Sequence, residues 1–156
     1  MDLFRVFALS GAGMSAQRSR MTVVAGNLAN TETTRTPEGG PYRRRNILFR
    51  SAPAGGEFPD GMLAAFDRML VNFDRPEGFQ SVEVAGVVPS SRPPRKIFDP
   101  HHPDANREGY VSLPDINLME EMVDLLSAVR SYEANMAVYN TTKSLVRQLL
   151  EIGRTP

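Results

Sequence analysis

Apolar positions are most regular at the C-terminal end of the chain. Leu118, Leu125, Tyr132, Tyr139 and Val146 fall seven apart, as do Met122, Val129, Met136, Lys143 and Leu150. Interleaved, the two series alternate four-three, with Lys143 their single polar member. A 3.5-residue repeat sustained this long predicts a helix whose apolar seam meets another helix. Met119, Val123, Leu126, Ala137, Val138, Leu145 and Leu149 widen the stripe beyond a strict seam. Asn117 followed by Glu120 predicts an N-cap with a capping box, and Gly153 a C′ stop with Pro156 beyond. Glu120, Glu121 and Asp124 open the helix while Lys143 and Arg147 lie toward its end, the order the helix dipole favours. The predicted helix is about 50 Å long at 1.5 Å per residue. A compact domain of this chain length has a radius of gyration of only about 15 Å. A long core helix in a small bundle would account for the stripe, but a protruding rod that needs partner helices, some from other chains, accounts for its length as well.

Residues 3–30 carry a second helical pattern. Phe7, Met14, Met21 and Leu28 recur every seven, with Leu3 and Val24 at the companion spacing. Between them lie Ser10, Gly11, Ala12, Gly13, Ser15, Ala16 and Gln17. Each interior glycine costs about 1 kcal/mol relative to alanine, so this helix is marginal alone. Small residues also admit a close neighbour. The shared period predicts that the two terminal helices pair, with the rest of the chain hung between them.

The middle changes character. Pro37, Gly39, Gly40 and Pro41 force turns. Ile47-Leu48-Phe49, Val82-Glu83-Val84 with Val87-Val88, Lys96-Ile97-Phe98 and Tyr110-Val111-Ser112-Leu113 read as short strands, with Gly86 marking a bulge. Met62 to Leu70 reads as a short helix in an otherwise Gly- and Pro-rich stretch, residues 52–81, which looks like an insertion outside both heptad systems. Asp99-Pro100-His101-His102-Pro103-Asp104 reads as a rigid turn. The expected fold class is mainly α with a small β unit. Long N- and C-terminal helices pair as an antiparallel coiled coil, across an irregular β-rich middle segment. The expected divisions are 1–34, 35–113 and 114–156.

Formal net charge is zero, from 18 basic and 18 acidic residues, so no global field draws nucleic acid or an anionic surface. The Arg43-Arg44-Arg45 run lacks interleaved aromatics and reads as a solvated or interface charge run. No apolar run approaches membrane-spanning length, and the short run Val6–Leu9 is broken by Gly11 and Gly13, which predicts no cleaved signal peptide. Cysteine is absent, which excludes disulfides and thiolate metal sites. His101 and His102 stand beside Asp99 and Asp104, but adjacent side chains between proline turns do not converge on a metal. No phosphate loop, dinucleotide fingerprint or nucleophile elbow is present. Glu120, Glu121 and Asp124 read as a helix start rather than a catalytic pair. No catalytic residue, cofactor or metal is expected, and the chain is not read as an enzyme.

Several stretches together resemble a known family. Ala16-Gln17-Arg18-Ser19-Arg20-Met21, Asn27-Leu28-Ala29-Asn30 and Pro41-Tyr42-Arg43-Arg44 are similar to the N-terminal signature of flagellar basal-body rod proteins. Asp99 to Asn106 with Gly109-Tyr110-Val111, Pro114-Asp115-Ile116-Asn117 with Glu121-Met122-Val123-Asp124, and Ser131-Tyr132-Glu133-Ala134-Asn135 narrow the resemblance to proximal rod components of the FlgC type. Asp115 departs from it, standing where the family usually has asparagine. The resemblance implies a structural subunit exported through the flagellar type III apparatus without a cleaved signal peptide. It would polymerise with other flagellar rod proteins and copies of itself into the axial drive shaft that crosses the periplasm. No nucleic-acid binding and no direct membrane insertion are implied. The assembly interface would then include Phe7, Met14, Met21, Asn27, Leu28 and Asn30 from the first helix. From the second it would include Leu118, Met122, Leu125, Val129, Tyr132, Met136, Tyr139, Val146 and Leu150. The alternative is a soluble adaptor or export chaperone that offers the same long helix to a groove on its partner.

Overall fold

The computed structural model describes residues 3–53 and 80–153. The expected short helix at Met62–Leu70 lies outside the described residues. In chain order come helix α1 (Leu3–Ala29), strands β1 (Arg45–Pro53), β2 (Gln80–Pro89), β3 (Arg95–Phe98) and β4 (Tyr110–Leu113), and helix α2 (Leu118–Ile152).

The end of α1 is fixed by side chains that take up its last carbonyls. Asn30 Nδ2 donates to the Gly26 carbonyl at 2.8 Å and Thr31 Oγ1 to the Leu28 carbonyl at 2.8 Å. Gly39 and Gly40 then adopt φ of +90° and +77°, a conformation only glycine takes without strain. The turn they form folds the chain back, so that Tyr42 N donates to the Thr33 carbonyl at 3.0 Å. This return delivers β1 to the side of α1.

β1 and β2 form an antiparallel two-stranded ribbon, and β3 and β4 form another. The middle is therefore two separate ribbons, and the first has strands of 9 and 10 residues, longer than the short strands expected. Leu48 pairs with Gly86 but Phe49 pairs with Val84, so Ala85 is the extra residue of a bulge beside the expected Gly86. Between β3 and β4, from Asp99 to Gly109, the chain turns where a rigid turn is expected. Asp99 N donates to the Gly109 carbonyl, and Asn106 Oδ1 accepts from the backbone N–H of both Glu108 and Tyr110. Gly109 has φ +82°, and a Cβ there would lie 2.8 Å from the Phe98 ring.

α2 has 35 residues, and the Asn117 side chain accepts from Met119 N at 3.1 Å as its N-cap. Gly153 closes the helix with φ −75°, in the right-handed region. The stop is thus in the expected place, made without the left-handed conformation that glycine commonly supplies at a helix end.

α1 packs along α2, and the β1–β2 ribbon rests on α1. Among the described residues the buried apolar set is Ala16, Val24, Val111, Ile116 and Ala128. With so few buried apolar groups, the α1–α2 contact depends on close approach of small side chains and on polar bonds.

Candidate functional site

At the end of the helix pair where α1 stops and α2 begins, seven side chains form one connected polar network. Asn27 is its centre and is 1 % exposed. Its Nδ2 donates to the Arg45 carbonyl and to Glu121 Oε2, each at 2.9 Å. Its Oδ1 accepts from the Tyr42 hydroxyl at 3.1 Å and from Arg45 N at 2.9 Å. Both donors and both lone pairs of the amide are thereby used, which is what a buried asparagine requires.

Glu121, 0 % exposed, is held from two sides. Arg44 Nε donates to its Oε1 and Asn27 to its Oε2. Arg44 also donates to Asn46 Oδ1 at 2.6 Å and lies 3.6 Å from Asp124, which in turn pairs with Arg20 of α1 at 2.8 Å. Burying a carboxylate is costly unless it is paired and hydrogen-bonded, and here it is both. Burial raises the Tyr42 hydroxyl pKa above 10.0, the nearby Arg45 guanidinium opposes that, and Glu121 adds to it. Arg45 sits over the Tyr42 ring, 5.8 Å from its centroid.

Arg44 is thus no solvated member of a charge run, and Glu121 does more than complement a helix dipole. No local pattern marks either role, because their partners lie 77 and 94 residues away in the chain. A signal existed in the heptads themselves. Glu121, Ala128, Asn135 and Thr142 also fall seven apart, and Leu125, Tyr132, Tyr139 and Val146 complete a four-three stripe with them. Glu121, Ala128 and Thr142 are the buried residues of α2, and the other five are half-buried. The answering stripe on α1 is Ser10, Gly13, Gln17, Arg20, Val24 and Asn27, with Ser10, Val24 and Asn27 buried. Asn27 meets Glu121, Arg20 meets Asp124, Gly13 abuts Asn135 and Phe7 stacks edge-on against Tyr139 at 4.9 Å. Rising numbers on α1 meet falling numbers on α2.

Of the residues expected at an assembly interface, Asn27 is buried, while Phe7, Met14, Met21, Leu28 and Asn30 are half-buried. On α2, Leu125, Val129, Tyr132, Tyr139 and Val146 are half-buried, and Leu118, Met122, Met136 and Leu150 are exposed. Among the described residues no helix is long and apolar enough to cross a membrane, and no cluster of metal-ligating side chains is present.

The C-terminal residues 107–152 match the family model described as flagellar basal body rod FlgEFG protein C-terminal. Over its length the chain is 40 % identical to the flagellar basal-body rod protein FlgC of Borreliella burgdorferi, covering 97 % of this chain and 98 % of that one. The chain belongs to the FlgC family of flagellar basal-body rod proteins. The FlgC proteins of Bacillus subtilis and Salmonella typhimurium are 38 % and 34 % identical to it, each alignment covering 99 % of this chain and 100 % of the relative. As a FlgC-family chain it is a structural subunit of the bacterial flagellar basal-body rod, and it assembles with other rod components. Two of the stretches that carry the wider rod-protein resemblance, Asn27–Asn30 and Pro41–Arg44, meet in the polar network, where Asn27, Tyr42 and Arg44 are direct partners or share Glu121.

Proposed function

We propose that this chain is a subunit of the proximal rod, in which α1 and α2 form an antiparallel coiled coil within the inner layer of a helical tube. Copies of the chain and other rod proteins supply the helices that cover its remaining apolar surface, and the type III apparatus exports it without signal cleavage. The role is purely structural. The observation that carries this reading is the outward side of α2. Met119, Met122, Val123 and Leu126 are all exposed on a helix whose other side already holds α1. Apolar side chains gathered in this way mark contact surfaces, and a tube of packed helices would bury them.

The buried polar network supports the same reading in a second way. Fully bonded polar groups at a helix seam fix register better than interchangeable apolar ones. A subunit that repeats in a helical lattice needs one register. The test is to purify basal bodies from cells making the chain and to dissociate them stepwise. Recovery of the chain with the innermost rod fraction is expected. Its recovery only as a finite soluble complex with another protein would instead favour an adaptor.

A further inference from the structure

Two exposed surfaces of the molecule match each other and lie at the same end of the helix pair. The first is the β1–β2 ribbon. Leu48 and Val88 share one of its faces by register, being 48 % and 39 % exposed. Arg43 is exposed, makes no ion pair among the described residues, and stands at its base beside exposed Arg45. A two-stranded ribbon is marginal in water without a covering partner. The second surface is the start of α2, where Met119 and Val123 are 68 % and 66 % exposed and Glu120 is exposed between them.

Their placement follows from the contacts already described. The ribbon rests on α1. Met119, Val123 and Leu126 lie about 140–180° around α2 from Ala128, the buried residue of the α1 seam, at about 100° per residue. They therefore face away from α1, the helix on which the ribbon rests. Both surfaces belong to the same end of the helix pair, because Asn27 ties the base of β1 to Glu121 in the first turn of α2.

We propose that the ribbon of one copy docks on the Met119–Val123 face of α2 in a second copy lying alongside it. This rests on reading the chain as a rod subunit, and it names the partner of the outward face of α2. Apolar groups meet apolar groups, and Arg43 at the ribbon base meets Glu120. The contact joins two different surfaces, so it leaves a free ribbon on one copy and a free helix face on the other. It propagates around a ring or helix rather than closing as a pair.

The chain has no cysteine, so introduced thiols are the only ones. Chains carrying Val88→Cys and chains carrying Val123→Cys are made together, basal bodies are isolated, and a short bifunctional maleimide is added. The expected product is a covalent pair holding one chain of each kind, absent when either variant is made alone. Adding Arg43→Glu to the first chain should lower the yield roughly fivefold, a change of about 1 kcal/mol, and adding Glu120→Arg to the second should restore it. Both chains present in rods but joined only like with like, joined to other rod proteins, or not joined at all overturns the docking. So does a yield indifferent to the charge changes. If neither chain reaches the rods, the rod-subunit reading itself fails and the docking falls with it.

Discussion

Gly13 of α1 and Asn135 of α2 approach so closely that a Cβ on residue 13 would lie 2.8 Å from Asn135 Oδ1. The Asn135 amide is held in place by its own bond to the Ser131 carbonyl, at 2.8 Å. Two residues earlier, Gly11 has nothing within 4 Å of the same construction. Alanine at either position gains about 1 kcal/mol of helix propensity, but at residue 13 overpacking costs about 1–3 kcal/mol. Gly11→Ala should therefore raise the melting temperature, and Gly13→Ala should leave it unchanged or lower it. Equal stabilisation by both would show that the helices are farther apart than described.

Removing different members of the polar network should cost different amounts. Arg44→Ala leaves the buried Glu121 carboxylate without its cation, a loss of about 3–5 kcal/mol. Glu121→Gln keeps the size and one acceptor but turns an N–H toward a donor, a loss of about 1–3 kcal/mol. Urea denaturation of the two variants should rank them in that order. A Glu121→Gln variant less stable than Arg44→Ala would mean that the arginine is not what holds the carboxylate.

Tyr42 carries a pH dependence of defined sign. Its folded-state pKa is raised above the ordinary tyrosine value of 10.0, chiefly because burial disfavours the phenolate. The stability this contributes is present in full below pH 10.0 and is lost as pH rises through the folded value. Tyr42→Phe should remove that alkaline loss while costing about 1 kcal/mol for the hydroxyl bond to Asn27. The comparison is a pair of denaturation curves at neutral and strongly alkaline pH. An alkaline limb unchanged in Tyr42→Phe would assign it to another group.

What the sequence made legible was what depends on local pattern. Both helices, the bulge beside Gly86 and the strand Tyr110–Leu113 followed from periodicity and turn residues. One heptad column of α2 was also legible, since Leu125, Tyr132, Tyr139 and Val146 do turn toward the α1 side. The other column was not. Met122 and Leu150 are more apolar than Glu121 and Thr142, and hydrophobicity alone places them inside. The fold buries Thr142 with its hydroxyl bonded to the Val138 carbonyl, and Glu121 because Asn27 and Arg44 satisfy it, partners that come together only through the Gly39–Gly40 turn. The larger side chains are left outward, where a monomer gains nothing from them.

That outward apolar side is the central claim, and Met122→Asp tests it most directly. Met122 is exposed in the single chain, so the substitution should change monomer stability by no more than about 0.5 kcal/mol. In the assembled rod the same carboxylate would be buried against apolar neighbours, at a cost of several kcal/mol. The measurement is the amount of full-length variant in purified basal bodies, set beside the melting curve of the isolated chain. An unchanged melt with the variant missing from basal bodies is the predicted result. Incorporation at the unsubstituted level would contradict the account.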